Sequence, residues 1–188
     1  MNTTTLEKNI VNGLDLDALS EIVGEINRDP ANGMATFNVR SEWQGQTKSV
    51  HRIDGVTIGG TFVPRPFAVQ ADEPYEFLGQ NSAANPQELL MAAFNACIMV
   101  GYVAGAAIRG IRLDSVQIET TGTLDLRGFL GLDDDVPPGY EAVKTTVRIK
   151  GDGTAEQFAE IHDMVKKTSP NYFNVTRPIT VDAELVVE

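Results

Sequence analysis

Apolar residues recur at helical spacing through Leu14, Leu16, Leu19, Ile22, Val23 and Ile26, and the segment Asp29-Pro-Ala-Asn-Gly33 ends the pattern. Residues 1–33 are therefore expected to form a helical lead-in. Its apolar stripe must lie on the rest of the chain or on a partner subunit. The period then changes to two. Ala35 to Trp43 alternates in part, Gln44-Gly-Gln46 makes a turn, and Lys48 to Ile53 returns, which predicts strands. Phe62 to Gln70 has strand composition, but Pro64 and Pro66 confine it to a sheet edge or a loop. Residues 71–84 read as loop.

The clearest element is a helix over residues 86–109. Asn85 is a good N-cap, Pro86 sits where its missing N–H costs nothing, and Glu88 falls three residues after the cap. Gly110 stops it. Leu89 to Ile108 carries no charge, and apolar or small residues occupy every side, so the helix is expected to be buried all round. Ala92, Ala93, Ala96, Gly101, Ala104 and Gly105 would let another helix approach closely. The stretch is also long enough to span a membrane. Its Ala and Gly content and Asn95 make insertion weak, and the strand-like sequence on both sides needs a soluble core. Beyond it, 113–127 and 140–150 alternate as strands around a loop at 128–139. Thr154 caps a second helix with Phe158, Ile161, His162 and Val165 on one face, and Ile179 to Val187 alternates as a final strand. Strands, a buried helix, strands, a helix and a strand make an α+β domain, read as one unit over residues 34–188.

The net charge of −11 and pI of about 4.6 argue against nucleic acid and anionic membrane as partners, since both need clustered Lys and Arg. The single cysteine, Cys97, cannot form an intrachain disulfide. The N-terminus has neither a basic nor an apolar signal region, so the cytoplasm is the expected location. His51 and His162 stand apart with no ligand spacing around them, so each reads as a surface or strand residue, and no metal or cofactor is expected.

The block Asn85-Pro-Gln-Glu-Leu-Leu-Met-Ala-Ala-Phe-Asn-Ala-Cys97 resembles the OsmC/Ohr signature, an Asn-Pro and a carboxylate leading into an Ala-rich helix that bears a peroxidatic cysteine. The loop from Asp72-Glu-Pro74 to Gly79 fits it as well. Leu124 to Leu132 and Thr168-Ser-Pro170 are similar to a subset of OsmC-like proteins. The resemblance covers about residues 14 to 188. It implies an intertwined homodimer with antiparallel sheets wrapped around the central helices and active sites near the subunit interface. It also implies reduction of organic hydroperoxides in oxidative stress defence. A cysteine thiolate becomes a sulfenic acid, a second cysteine forms a disulfide with it, and a dithiol restores both. An arginine favours the thiolate and a glutamate orients the arginine.

Carried over residue by residue, Cys97 matches the peroxidatic cysteine, and the second cysteine falls on Ser169, which cannot form a disulfide. The carboxylate position falls on Gln87, with Glu88 one residue late. The arginine position falls on Trp43, and Arg40, Arg52 and Arg65 are the candidate substitutes. Cys97, Glu88 and Arg40 are thus the candidate catalytic residues. Glu88 and Cys97 lie nine residues apart, about 13.5 Å along a straight helix and on opposite faces. One expected function is a peroxidase with a single cysteine, resolved by an external thiol. The other is a binding protein on the same fold, with Trp43, Met91, Phe94 and Met99 lining a dimer-interface pocket for a small apolar ligand.

Overall fold

The computed structural model describes residues 9–187. They form two compact parts, one up to Leu90 and one from Met91 onward.

In the N-terminal part, β1 (Ile10–Val11) and β2 (Leu14–Asp15) make a short hairpin that the apolar pattern does not announce. Helix α1 (Leu16–Arg28) follows, capped by the Asp15 carboxylate on the Ala18 N–H at 3.1 Å. The expected lead-in helix is therefore present over these residues; residues 1–8 lie outside those described. The stripe stays open to solvent, with Ile22 and Val23 about half exposed and no residue of α1 buried. Next come β3 (Ala35–Phe37), β4 (Arg40–Trp43), β5 (Ser49–Ile58) and β6 (Thr61–Ala71). All are antiparallel. β5 is central, with β3 and β4 pairing along one side of it and β6 along the other. The two prolines do leave β6 on an edge. The register shifts at Ile53/Gly55, with Pro64 facing Gly55, so Arg65 and Pro66 of β6 lie in the irregular stretch.

Helix α2 (Pro86–Ile108) begins as expected: the Glu88 N–H donates to Asn85 Oδ1 and the Asn85 N–H to Glu88 Oε2, both at 2.8 Å. Gly110 ends it at φ +70°. Burial differs from the expectation. Phe94, Ile98, Tyr102, Gly105, Ala106 and Ala107 are buried, whereas Leu90, Val100 and Ile108 are exposed. One chain thus covers one face of this helix, not all of them. Among the described residues it is the one helix long and apolar enough to cross a membrane.

From Met91 on, the covered face of α2 meets β7 (Leu113–Gly122), β8 (Val143–Gly151) and α4 (Ala155–Thr168), while α3 (Leu126–Phe129) is a single turn. The strand expected to run to residue 127 stops at Gly122, because Asp125 caps α3 through the Arg127 N–H. β7 and β8 pair antiparallel. Thr154 and Gln157 form a full capping box on α4. Ile161, fully buried, and Val165 enter the core, and α4 approaches α2 at Gly105, where a Cβ would stand 2.6 Å from Met164 Cε. Asn95, polar in an apolar helix, is satisfied: Thr120 Oγ1 donates to Asn95 Oδ1 at 2.6 Å. Ser169-Pro170 does not simply follow α4; it opens α5 (Pro170–Thr176), with the Ser169 hydroxyl capping the Tyr172 N–H. The final strand is absent. Residues 179–187 carry the alternation, but none of the described strands pairs with them, and Val181, Leu185 and Val187 are exposed.

Candidate functional site

Cys97 sits in the middle of α2, half-buried, and its Sγ lies 3.3 Å from Ser169 Oγ. The sequence separates the two by 72 positions. The α4–α5 junction closes that gap, because Ser169 is at once the C-cap of α4 and the N-cap of α5. Ser169 is itself buried. Asn171 Nδ2 donates to the Ala93 carbonyl at 2.9 Å and ties α5 to α2 one turn before the cysteine. Ser169, onto which the resemblance carries the second cysteine, therefore stands against the Cys97 sulfur. Among the described residues, Ser169 is the hydrogen-bond partner of that sulfur, and no arginine donates to it.

The other two candidates are placed in the N-terminal part. The Glu88 carboxylate accepts the Asn85 N–H in the cap of α2. Arg40 pairs with Asp54 at 3.2 Å, both exposed. Of the remaining arginines weighed for the role, Arg52 faces Glu42 at 3.8 Å, and the Arg65 guanidinium lies 5.4 Å over the Phe67 ring. Trp43 is exposed on β4, its indole N–H donating to the Gln46 carbonyl at 2.8 Å.

Two polar groups outside the candidate catalytic set are strongly held. Asp72 is fully buried at the start of the loop that leads into α2. Its Oδ1 accepts from Thr47 Oγ1 at 2.8 Å and the Glu73 N–H at 2.9 Å; its Oδ2 accepts from the Ser82 hydroxyl at 2.7 Å, the Ser82 N–H at 3.1 Å and the Gln80 N–H at 3.2 Å. The Ser82 hydroxyl above all, opposed by burial and joined by the other donors, holds this carboxyl well below the usual range. The composition of a polar loop gives no sign of which carboxylate will gather its amides. The second group is Tyr102, buried on α2, whose hydroxyl hydrogen-bonds with His162 Nδ1; burial, with the Tyr172 phenol nearby, pushes the phenol up to about 12. His162 is exposed on α4, as the lack of ligand spacing suggested, and His51 lies on β5 between the Ser41 and Ser49 hydroxyls.

Of the four residues expected around an apolar ligand, Phe94 lines a cleft of about 270 Å³ within the C-terminal part, together with Ile98, Tyr102, Val147, Tyr172 and Val175. Phe94 lies three positions before Cys97 in the sequence and Ile98 directly after it.

No curated protein matches the sequence. Solved structures do. An OsmC-like protein from Mycoplasma pneumoniae is 13% identical with a TM-score of 0.59, the match covering 75% of this chain and 87% of that one. An OsmC-like protein from Vibrio cholerae is 15% identical with a TM-score of 0.54, covering 74% and 92%. Both likenesses are of fold. The family model described as OsmC-like protein matches residues 79–184, more than half of the 188, and the chain belongs to the OsmC-like family.

Proposed function

We propose that this protein is a thiol-dependent organic hydroperoxide reductase that works with one cysteine and relies on an external thiol for resolution. The observation that carries the reading is the 3.3 Å contact between Cys97 Sγ and Ser169 Oγ. A contact of this kind is what a two-cysteine cycle would use, with oxygen in place of the second sulfur, and it supports the reading. The Cys97 thiolate attacks a peroxide oxygen, the O–O bond breaks, and the alcohol leaves with a proton. The sulfenic acid forms beside the Ser169 hydroxyl, which can hydrogen-bond it and cannot displace its oxygen as a thiol would. A dithiol then attacks the sulfenic sulfur. Water leaves, a mixed disulfide forms, and the second thiol of that reductant frees Cys97 as the dithiol is oxidised.

The working molecule in this reading is a cytoplasmic homodimer. Support comes from apolar surface that one chain leaves bare: Val100 on α2 at 68% exposure, Phe37 and Phe67 on the N-terminal sheet, and the alternating residues 179–187. A second copy would cover these and give the last segment a strand to pair with. Light scattering at micromolar concentration should give a dimer, and Val100→Asp should shift it toward monomer. A well-folded wild-type monomer defeats the dimer, and solubility only in detergent points to a membrane span instead.

Catalysis is tested by hydroperoxide consumption with excess dithiol. Wild type should turn over, Cys97→Ser should lose all activity, and Ser169→Ala should change it little. Oxidation without reductant should give sulfenic and then sulfinic acid on Cys97. Equal consumption by Cys97→Ser and wild type, or by wild type and buffer, removes the peroxidase reading.

A further inference from the structure

We propose that the C-terminal part holds a second site, a binding site for a small organic acid in the cleft between β8 and helices α2, α4 and α5, apart from the Cys97 sulfur. The cleft measures about 270 Å³. That equals the liquid volume of about nine waters, so an occupant of on the order of ten non-hydrogen atoms fits. Its walls are apolar: Phe94 and Ile98 on α2, Val147 on β8 and Val175 on α5. Protein interiors are close-packed, and water makes few hydrogen bonds with such walls, so an alkyl or aryl body gains by filling the space.

The polar groups select the rest of the ligand. The Tyr172 ring tilts against Phe94 at 6.3 Å and lines the cleft, and its hydroxyl has no hydrogen-bond partner among the described residues. Lys166 also lines it. Its Nζ pairs with Asp163 Oδ1 at 2.7 Å, which leaves donors to spare on an ammonium. Both the phenol and the ammonium therefore border the same cleft. A carboxylate accepts from both, and a neutral alcohol forgoes the charge-assisted bond.

The site has a path to the cysteine. The Tyr172 N–H donates to Ser169 Oγ at 3.3 Å, and Ser169 Oγ touches Cys97 Sγ at 3.3 Å. A ligand held by Tyr172 braces the α5 end against the sulfur, so occupancy should change the rate at which Cys97 is alkylated. Binding itself does not depend on the peroxidase reading, because no cysteine chemistry enters it.

The test is calorimetric titration of the full-length protein with octanoate, whose size suits the cleft, and with octan-1-ol. Octanoate should saturate one site per chain. Octan-1-ol should bind wild type about tenfold more weakly, and Lys166→Met should weaken octanoate by about the same factor. Val147→Phe and Val175→Phe fill the cleft from opposite walls and should abolish binding, with circular dichroism to confirm the fold; having two keeps the test alive if one fails to fold. Cys97→Ser should bind as wild type does. Absence of saturable octanoate binding, equal binding of octan-1-ol, or undiminished binding in a folded filled variant overturns the proposal.

Discussion

Among the described residues up to Leu90, the buried apolar side chains are Val50, Val56 and Ala71, and the part also holds a fully buried carboxylate, Asp72, with five donors around it. From Met91 on, Phe94, Ile98, Tyr102, Ala106, Ile111, Ile161 and Val165 form one contiguous core, closed by β7, β8 and α4. The first part is a sheet with bare apolar faces and a loop organised by hydrogen bonds. The second is a packed interior. The hydrophobic effect scales with the apolar area removed from water, so the two parts draw on different forces, and the first has most to gain from a partner.

Core truncation separates them most strongly. Ile161→Ala should cost about 3 kcal/mol, as for a fully buried aliphatic side chain, whereas Val56→Ala in the N-terminal sheet should cost about 1.5 kcal/mol, the transfer of two methyl-sized groups. Urea denaturation at one fixed protein concentration measures both. Equal losses would mean the N-terminal part is as tightly packed as the other.

Acid tests the polar anchor of the first part. The folded Asp72 carboxyl lies below its ordinary value, chiefly through the Ser82 hydroxyl. Its contribution is therefore fully present above the unfolded value of about 4 and is lost as pH falls through the folded one. The melting temperature of wild type should drop more steeply below about pH 4 than that of Asp72→Asn. At pH 7 the variant should be the less stable of the two, because an amide oxygen replaces a carboxylate among the donors. Parallel acid profiles would mean the loop does not depend on this charge.

The smallest effect is expected at the start of α2. Glu88→Gln keeps a side-chain acceptor for the Asn85 N–H, so stability should change by a few tenths of a kcal/mol and hydroperoxide turnover should stay near wild type. A large fall in turnover with intact stability would assign Glu88 a part in catalysis beyond its cap.

What the sequence announced was local. The Asn85–Glu88 cap, the Thr154 start of α4 and the alternation of β7 and β8 are set by residues a few positions apart, and all are present. What it missed needed distance. Nothing near Cys97 in the chain points to Ser169; the two meet because one residue ends α4 and begins α5, and that junction was legible only through the family resemblance. The one-sided burial of α2 was hidden because a helix apolar on all sides gives no period to say which face its own chain will cover. Residues 179–187 keep the strand period without a strand, since alternation marks a capacity to pair and not the presence of a neighbour.

The hydroxyl beside the sulfur has a further consequence if Cys97 is the oxidised residue. A disulfide would shelter each sulfenic acid in a form the cell can recycle. Here every encounter with a second peroxide before a thiol arrives moves a molecule to the sulfinic state, which ordinary reductants do not reverse. Such a protein behaves as a fuse more than as a circuit breaker: the fraction of chains still intact records the oxidant dose received since synthesis, and replacement by new protein, more than repair, sets how long protection lasts.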